Sequence, residues 1–333
     1  MRVGVVGVGH LGSIHAKIYN EHPDAELVCV ADADGARAQK VADELGCGCV
    51  ADPRELPELD AVSVAVPTVA HAAVAVPLLE KGVGCLVEKP LAKDLADADR
   101  ILEAAERGGA TLAVGHVERF QPGVRRVREL GLQPRFIECH RLSTFSFRSL
   151  DVGVVHDLMI HDLDLILALM DSEVVEMDAS GGAILTDGED LASVRLVFAN
   201  GARANVTASR VSLTPMRRFR LFSGSSYVSL DFTKNYGLMV RKGEGWDSGR
   251  EKLRRLDEAE LAELAKRSDF ITGDMLDVSE LQLEGEERPL QAELDSFLTN
   301  VREKTRPEVS GEDGRRALEL AERIASEIRS QGW

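Results

Sequence analysis

The sequence contains no apolar stretch approaching the ~20 residues that a membrane-spanning helix needs. No basic segment followed by an apolar one precedes the first predicted strand, so we expect no secretory signal. Basic residues are also in short supply: 40 lysines and arginines stand against 56 aspartates and glutamates, a net charge of −16. An acidic chain has no broad attraction for nucleic acid or anionic lipid. We therefore expect a cytoplasmic protein that binds neither nucleic acid nor membranes.

Cysteine is scarce and shows no pairing pattern. The cysteines are five, an odd number, at Cys29, Cys47, Cys49, Cys85 and Cys139. Cys47 and Cys49 are separated by a single residue and have no second pair, which does not match the spacing of zinc or redox motifs. We expect reduced thiols, as in the cytoplasm, and no metal site.

Short apolar runs alternate with amphipathic segments over the first 118 residues. The runs predict strands at Arg2–Val6, Glu26–Ala31, Ala61–Val66, Gly84–Val87 and Thr111–Val114. Continuous apolar strands separated by amphipathic helices are typical of a parallel sheet covered on both faces. Residues 1–118 are therefore predicted to form an α/β, doubly wound nucleotide-binding domain, a Rossmann fold.

Residues 119–333 show a different pattern. Predicted helices near 118–130 and 157–170 flank a strand at 135–145, and alternating apolar and polar residues follow at 192–198, 202–209, 217–223 and 226–232. Alternation with turn residues such as Asn200-Gly201 is typical of antiparallel hairpins. The pattern predicts an α+β domain with an open, mostly antiparallel sheet, for substrate binding and oligomerisation. Helices at about 290–304 and 312–330 close the chain and are free to pack back on the first domain. Residues 241–288 are rich in charge, and within them the sequence predicts one exposed helix, at 258–266.

A glycine-rich turn, GVGHLG at residues 7–12, follows the first strand and opens a helix. Gly7 permits a tight turn, Gly9 lets the backbone approach a pyrophosphate, and Gly12 permits close packing of helix on strand. The amides at the start of the helix can then bind phosphate oxygens. This is the arrangement that a dinucleotide needs.

Asp32 ends the second predicted strand, 20 residues after Gly12. A carboxylate there accepts hydrogen bonds from the adenosine ribose diol and repels a 2′-phosphate, and Asp34 adds to that repulsion. The sequence therefore favours NAD over NADP. Pro67 and Thr68 begin the loop after the third predicted strand, at the carboxyl edge where dinucleotides bind.

Lys89 follows the strand Gly84–Val87, again at the carboxyl edge of the sheet. Lys89 is held between Glu88 and a proline, and its ammonium could bind a substrate hydroxyl. Without the other motifs, Lys89 would be interpreted as a surface lysine. In the predicted helix 157–170, His161 has Asp157 one turn before it on the same face. A histidine oriented by a carboxylate can accept the hydroxyl proton during hydride transfer.

The competing interpretation of this helix is a metal site, because His156, Asp157 and His161 are all ligand types. The two histidines are five residues apart and do not share a face, unlike the pair in a zinc-binding HExxH helix. We therefore expect no metal. A purely structural histidine is a second alternative for His161, and structural roles are expected for His10 and His15 if each is taken alone. His71 alone would be a hydrogen bonder at a helix start.

Together GVGHLG, VEKP at 87–90 and DLMIHDLD at 157–164 resemble the Gfo/Idh/MocA oxidoreductases. The resemblance implies NAD(P)-dependent oxidation or reduction of a sugar or cyclitol, with Lys89, Asp157 and His161 in the catalytic positions and Lys89–Pro90 often cis. Cofactor contacts are expected from Gly7, Gly9, His10, Leu11, Gly12, Asp32, Pro67, Thr68, His71, Glu88 and Lys89. The resemblance also implies a homodimer or homotetramer formed through sheet faces.

A finer resemblance rests on GHVERFQP at 115–122 and on residues 148–157. Both are similar to members that oxidise C3 of UDP-N-acetylglucosamine or its uronic acid, a step toward 3-amino sugars of surface polysaccharide or lipid A. Gln121 departs from the asparagine of that pattern. A sugar diphosphate needs cationic donors, for which Arg119, Arg141 and Arg148 are candidates. Substrate contacts are expected from Lys89, Arg119, Arg148, Asp157 and His161.

Two other functions fit the same residues. The chemistry could act on a free sugar or inositol, in which case unphosphorylated polyols would be substrates. A non-catalytic sensor of NAD or sugar would bind the dinucleotide without turnover, and the complete set of Lys89, Asp157 and His161 argues against it.

Overall fold

The computed structural model of the chain describes residues 1–146, 152–265, 275–281, 283 and 288–332. The chain divides into two compact units. The first comprises Met1–Phe120 and Glu286–Arg323, and the second comprises Gln121–Gly285 and Ile324–Trp333. The first unit is therefore built from two stretches that are distant in sequence.

A six-stranded sheet forms the centre of the first unit. Its strands are β1 Arg2–Val6, β2 Glu26–Ala31, β3 Gly48–Val50, β4 Ala61–Val64, β5 Gly84–Glu88 and β6 Leu112–Gly115. The order is β3-β2-β1-β4-β5-β6 and all pairs are parallel. This is the doubly wound order of a dinucleotide-binding sheet, so the predicted fold is confirmed. The three-residue strand β3 was not predicted.

Helices cover both faces of this sheet. They are α1 His10–Glu21, α2 Gly35–Leu45, α3 His71–Glu80 and α4 Leu95–Gly108. Neighbouring residues of one strand pack into different apolar clusters: Cys85 and Val87 belong to one core, and Leu86 to the other. Such alternation is the signature of a strand buried on both faces.

Local sequence explains where helices α2 and α4 begin and end. The side chains of Asp34 and Asp94 accept backbone N–H groups of the first turn of α2 and α4, respectively. Both helices end at a glycine with positive φ, Gly46 at 71° and Gly109 at 59°. An acidic N-cap and a left-handed glycine are the preferred chemistry for the two ends of a helix.

An eight-stranded sheet forms the second unit. Its strands are β7 Pro134–Leu142, β8 Val174–Gly182, β9 Leu191–Phe198, β10 Arg203–Ser209, β11 Met216–Ser223, β12 Ser226–Asp231, β13 Tyr236–Lys242 and β14 Leu276–Leu281. The order is β14-β13-β12-β11-β7-β10-β9-β8. Among the described strands the pairs are antiparallel except β7 with β10. The predicted open, mostly antiparallel sheet is confirmed.

The helices of this part of the chain differ from the prediction in detail. They are α5 Pro122–Glu129, α6 Ile160–Met170, α7 Trp246–Leu253 and α8 Glu258–Ala265. The helix predicted near 118–130 is two pieces, a 3-10 turn at Val117–Phe120 and α5, because Pro122 has no amide proton to continue the first piece. The helix predicted at 157–170 begins with a π turn, Val155–Met159, before α6.

Two helices close the chain, α9 Pro289–Glu303 and α10 Gly311–Ser330. Helix α9 places Leu294, Phe297 and Leu298 in the apolar core of the first unit. In the part of the chain that the structure describes, no helix has the length and hydropathy required to span a bilayer.

Candidate active site

The glycine turn has the geometry that its sequence predicts. Gly7 has φ of +86°, a conformation that favours glycine, and its amide donates to the Ala31 carbonyl at 2.7 Å. A Cβ on Gly12 would collide with the carbonyl oxygen of Gly7. A Cβ on Gly9 would meet no protein atom within 4 Å. Thus Gly7 and Gly12 serve the fold, whereas Gly9 leaves space that a pyrophosphate could fill.

A cavity of about 670 Å³ opens beside this turn. Its walls come from the ends of three neighbouring strands: Gly7 and Gly9 after β1, Asp32 after β2, and Pro67 after β4. The strand order reverses between β1 and β4, the position where doubly wound sheets bind ligands. Helix α1 starts here without a side-chain cap, with His10 and the half-exposed Leu11 in its first turn. These residues fit a dinucleotide, with phosphates at the helix start.

Asp32 is held firmly at the mouth of this cavity. Its carboxylate accepts the amide protons of Val8 and Asp34, each at 2.9 Å. The guanidinium of Arg37 lies 3.4 Å from both carboxylate oxygens. An anchored carboxylate at this place suits a ribose diol. Arg37 was not identified from the sequence.

His71 is fully buried and joins two loops. Its Nε2 lies 3.0 Å from the Val66 carbonyl, and its Nδ1 lies 3.1 Å from that of Pro90. Burial lowers the pKa of His71, although these carbonyls oppose the shift. The observed contacts are those of a structural histidine, and its cofactor contact stays a prediction. Thr68 begins a 3-10 turn after Pro67, and its cofactor contact likewise stays a prediction.

Lys89 is anchored through its own backbone and through its neighbour. Its amide donates to Glu88 Oε2 at 3.2 Å, and the Lys89–Pro90 bond is cis, as the family resemblance implies. Glu88 Oε1 lies 3.2 Å from Nε2 of the buried His15. Burial would raise the pKa of Glu88, but the hydrogen bond from His15 and the charge of Lys89 outweigh it and hold that pKa below its ordinary value. Glu88 is therefore an anion beside Lys89 at neutral pH.

The contact of Glu88 continues inward through three more side chains. His15 Nδ1 lies 3.2 Å from Ser63 Oγ, which lies 2.8 Å from the Tyr19 hydroxyl. Burial raises the pKa of Tyr19 far above its ordinary value, so the phenol stays neutral. His15 is thus a structural residue, as expected. Its position directly behind the Glu88-Lys89 pair was not predicted.

In the second unit, Asp157 lies within the π turn and His161 is half-buried in the first turn of α6. A π residue advances less around the helix axis than an α residue, so face assignments based on 3.6 residues per turn do not carry over to this segment. π turns are frequent at functional sites. Asp164, three residues after the half-buried His161 on the same helix, is fully buried.

Asp157 belongs to a buried cluster of charges that the sequence did not reveal. The buried Arg210 places Nη2 4.0 Å from an Asp157 oxygen and Nε 3.8 Å from an Asp190 oxygen. Asp190 is fully buried and one of its oxygens accepts three successive amides, of residues 184 to 186. Burial would raise the pKa of Asp190, but these hydrogen bonds lower it to about 2. Arg210 therefore sits between two carboxylates, of which Asp157 is the more exposed.

The arginines expected near a substrate diphosphate have different surroundings. Arg119 is buried in the first unit, where Nη1 donates to the Glu308 carbonyl at 3.0 Å and lies 3.7 Å from Asp313. Arg141 is buried in a two-pronged ion pair with Asp162, with distances of 2.8 and 2.9 Å. Arg148 lies outside the described residues. Substrate contacts by Arg119 and Arg148 stay predictions.

A doubly wound sheet with this glycine turn, cavity and acidic strand end defines the first unit as the dinucleotide-binding half of an oxidoreductase. Residues 1–116 match the oxidoreductase family domain with an NAD-binding Rossmann fold, and residues 124–224 match the C-terminal domain of the same family. The chain belongs to the Gfo/Idh/MocA oxidoreductases. The predictions of an oxidoreductase and of NAD as its cofactor are therefore confirmed.

Three comparisons refine this assignment. UDP-N-acetylglucosamine 3-dehydrogenase from Acidithiobacillus ferrooxidans is 39% identical over 323 residues, which are 96% of this chain and 95% of the relative. A solved structure of that dehydrogenase gives a TM-score of 0.86 at 35% identity and covers 99% of this chain and 98% of its own. Myo-inositol 2-dehydrogenase from Thermotoga maritima is 28% identical, covering 96% of this chain and 94% of the relative.

Proposed function

We propose that the protein oxidises the 3-hydroxyl of a UDP-N-acetylhexosamine to a 3-keto sugar, with NAD as hydride acceptor. The observation that carries this proposal is the 39% identity with UDP-N-acetylglucosamine 3-dehydrogenase along nearly the whole length of both chains. The resemblance of GHVERFQP at 115–122 to such enzymes is consistent with it. The keto sugar would then be aminated on the way to surface polysaccharide or lipid A, in the cytoplasm.

Residues of this chain can be assigned to each step of the proposed reaction. When bound, NAD supplies the acceptor for the hydride from the sugar carbon. Gly9 and the start of α1 receive its phosphates, and Asp32 receives its ribose diol. Lys89 binds the sugar hydroxyl as a positively charged hydrogen-bond donor, with its charge balanced by Glu88.

In this proposal His161 accepts the proton of the hydroxyl as the hydride leaves. Asp157 orients the imidazole and stabilises the positive charge that the ring gains. Arg210, whose Nη2 lies 4.0 Å from an Asp157 oxygen, helps to hold that carboxylate in place. Arg119 and Arg148 are the proposed partners of the diphosphate, the second of them by sequence alone.

The test is absorbance at 340 nm with enzyme, NAD and UDP-N-acetylglucosamine, with 2-oxoglutarate in a parallel tube to reoxidise any NADH that stays bound. We expect a sugar-dependent rise, or a keto sugar by mass spectrometry in the parallel tube. Lys89→Met and His161→Asn should lose turnover severely and still bind NAD. Near-normal activity in both variants would refute the mechanism.

A second candidate, a dehydrogenase of free inositol or sugar, is favoured by the likeness to myo-inositol 2-dehydrogenase from Thermotoga maritima. The same assay with myo-inositol and free N-acetylglucosamine distinguishes the two. Activity on the free polyol with none on the nucleotide sugar would select this candidate. Intact NAD binding with no turnover on any of these compounds would favour a sensor.

We also propose that the protein is a homodimer or homotetramer that associates through the second sheet. One face of that sheet carries a shallow polar cavity of about 350 Å³. Its lining includes Glu138, His140, Asp178, Arg195 and Asn205. In a two-fold dimer the same surface of each copy meets the other, and acidic and basic groups on one face can pair across such an interface. Sedimentation at the mass of one chain, 36.2 kDa, at all concentrations would reject this proposal.

A further inference from the structure

The helical segment that carries Asp157 and His161 begins without a cap of its own. Its π turn, Val155–Met159, is preceded by Val154, whose side chain cannot accept a hydrogen bond. The amide of Asp157 donates to the Gly153 carbonyl at 3.1 Å, so the turn that places Asp157 starts at that glycine. The amides just before Asp157 therefore need acceptors from elsewhere in the fold.

Glu189 supplies those acceptors from the turn between β8 and β9. Its backbone carbonyl accepts the Val154 amide at 2.9 Å, and its Oε1 accepts the Val155 amide at 3.3 Å. The residue is buried, with 9% of its surface exposed. A buried carboxylate that accepts an amide at the start of a helical segment acts as a cap provided by another part of the chain.

The space for this carboxylate exists because residue 153 is a glycine. A Cβ on Gly153 would overlap with the carboxylate of Glu189. Since Glu189 is buried, its carboxylate could avoid a methyl group there only by moving away from the Val155 amide. The small size of residue 153 is thus matched to the position of Glu189.

The turn that carries Glu189 is itself held by hydrogen bonds. The next residue, Asp190, accepts the amides of residues 184 to 186 through one carboxylate oxygen, and its own amide donates to the Gly182 carbonyl at 2.9 Å. Arg210 donates from its backbone amide to the Asp190 carbonyl at 3.0 Å and from Nη2 to the Val152 carbonyl. The segment that leads into the π turn is therefore fastened to a well-anchored neighbour.

We propose that Glu189 is a positioning residue for the reaction. Its carboxylate fixes the turn that carries Asp157, and through that turn it fixes the orientation of His161. Glu189 acts through the backbone of the turn and not by touching the substrate. This inference rests on the proposed function, because it concerns the roles given there to Asp157 and His161.

The kinetic experiment uses the purified full-length protein and whichever sugar the parent protein oxidises, with kcat expressed per bound NAD. Glu189→Ala should lower kcat by about tenfold to a hundredfold and leave NAD affinity unchanged, since a catalytic group displaced by about 1 Å can lose a hundredfold in rate. Glu189→Gln keeps an oxygen for the Val155 amide and should restore most of kcat. Glu176→Ala, at an exposed glutamate of β8, is the matched control and should have the parent's kcat.

Gly153→Ala tests the same pairing from the other side. The added methyl group should displace the carboxylate, so this variant should lose about as much kcat as Glu189→Ala. Once the carboxylate is absent, the methyl group has nothing to displace, and Gly153→Ala/Glu189→Ala should lose no more than either single variant. Such non-additivity is expected of two residues that act through one contact. Losses that multiply in the double variant would overturn the pairing.

A second measurement needs no substrate. In protein with isotopically labelled histidine, the NMR signal of the His161 ring is identified by its absence from His161→Asn. We expect this signal to shift or broaden in Glu189→Ala and to keep its place in Glu189→Gln and Glu176→Ala.

Two results from Glu189→Ala overturn the proposal, provided that its far-ultraviolet circular dichroism matches the parent's. One is an unchanged His161 signal, and the other is the parent's kcat. If Glu189→Ala does not fold, Gly153→Ala carries the same comparisons. Failure of the proposed function looks different, because the parent protein itself then leaves UDP-N-acetylglucosamine unoxidised, while the NMR comparison still decides the role of Glu189.

Discussion

Glu88 Oε1 and His15 Nε2 are 3.2 Å apart in the interior of the first unit, one residue before Lys89. This contact joins α1, the helix that follows the glycine turn, to the end of β5, which immediately precedes the lysine. Behind it, hydrogen bonds connect His15 to Ser63 and Ser63 to Tyr19. The cofactor turn and Lys89 are therefore mechanically linked through buried polar groups.

Replacement of Glu88 by glutamine should slow turnover more than it weakens cofactor binding. It removes the anion that faces Lys89 and weakens the bond to His15, so we expect kcat to fall by about tenfold or more, the value of one charge-assisted hydrogen bond. Steady-state kinetics, with the substrate that the 340 nm assay identifies, measure kcat. The affinity for NAD is measured in parallel. Glu80→Gln, at an exposed glutamate paired with Arg107, is the control. An unchanged kcat would show that the charge of Glu88 has no part in the reaction.

Ser63→Ala should destabilise the protein without touching the reacting groups. It leaves the Tyr19 hydroxyl and His15 Nδ1 without their observed partner in the interior, which costs about 1–3 kcal/mol. Urea unfolding followed by circular dichroism measures the loss. Thr305→Ala removes an exposed hydroxyl that accepts from Asn300 and should cost far less. Equal effects of the two variants would contradict the role assigned to the buried chain.

The glycine turn provides a matched pair of substitutions. Gly12→Ala should unfold or strongly destabilise the first unit, because its Cβ would collide with the Gly7 carbonyl. Gly9→Ala meets no protein atom and has a φ of −67°, so it should fold with a melting temperature near that of the parent. Its NAD affinity should nevertheless fall by about tenfold or more, since one misplaced methyl costs on the order of a kcal/mol or more in a close-packed contact. Unchanged NAD binding in Gly9→Ala would mean that the pyrophosphate does not pass over Gly9.

Stability should decline on mild acidification because of one buried histidine, His71, and one partly buried histidine, His156. Burial lowers the pKa of both His71 and His156. Their contribution to the free energy of unfolding is fully present above the unfolded pKa of about 6.5 and is lost as the pH falls toward the folded pKa. Melting temperatures between pH 8 and 5 should fall less steeply in His71→Gln/His156→Gln. His10→Gln, at an exposed imidazole, should follow the parent, and a double variant with the parent's slope would count against this account.

Asp190→Asn tests the charge cluster around Asp157. The depression of the Asp190 pKa to about 2 corresponds to about 2 kcal/mol of stability, present above pH ~3.9 and lost as the pH falls toward about 2. In Asp190→Asn an amide nitrogen would also lie next to the Arg210 guanidinium. We therefore expect the free energy of unfolding to fall by a similar amount at neutral pH. Asp187→Asn, at an exposed position in the same turn, is the control. Equal unfolding free energies for the two variants would show that the cluster contributes nothing.

The features of the site that the sequence predicts each depend on residues that are close together in the chain. The glycine turn, the acid at the end of β2 and the lysine after β5 each follow from a few adjacent residues and the parallel-sheet pattern. The contact of His15 with Ser63 joins residues 48 positions apart, and it depends on the order of strands in the sheet, which hydrophobic runs alone do not specify. In the sequence, Arg37 is one of several charged residues on an amphipathic helix. Only the structure shows that it lines the cofactor cavity beside Asp32.

The second sheet was harder to anticipate for a physical reason. Strand β8 ends in Ser180-Gly181-Gly182 and carries polar residues on one face, so its composition resembles a loop. The π turn at Val155–Met159 leaves no mark on the apolar pattern, because a single wide turn shifts the face of only a few side chains. Arg141 seemed available to a ligand because its partner Asp162 lies 21 residues away on α6.

The return of residues 286–323 to the first unit has a consequence for how the protein is made. Leu294, Phe297 and Leu298 are almost fully buried against β1 and α1 residues such as Val3 and Tyr19. During synthesis, the ribosome releases the cofactor-binding segment long before α9 exists to cover that apolar surface. The cofactor-binding unit therefore cannot complete its apolar core until nearly the whole chain has been synthesised. A fragment cut after residue 120 should therefore aggregate, and co-expression with a 286–333 peptide should rescue its solubility.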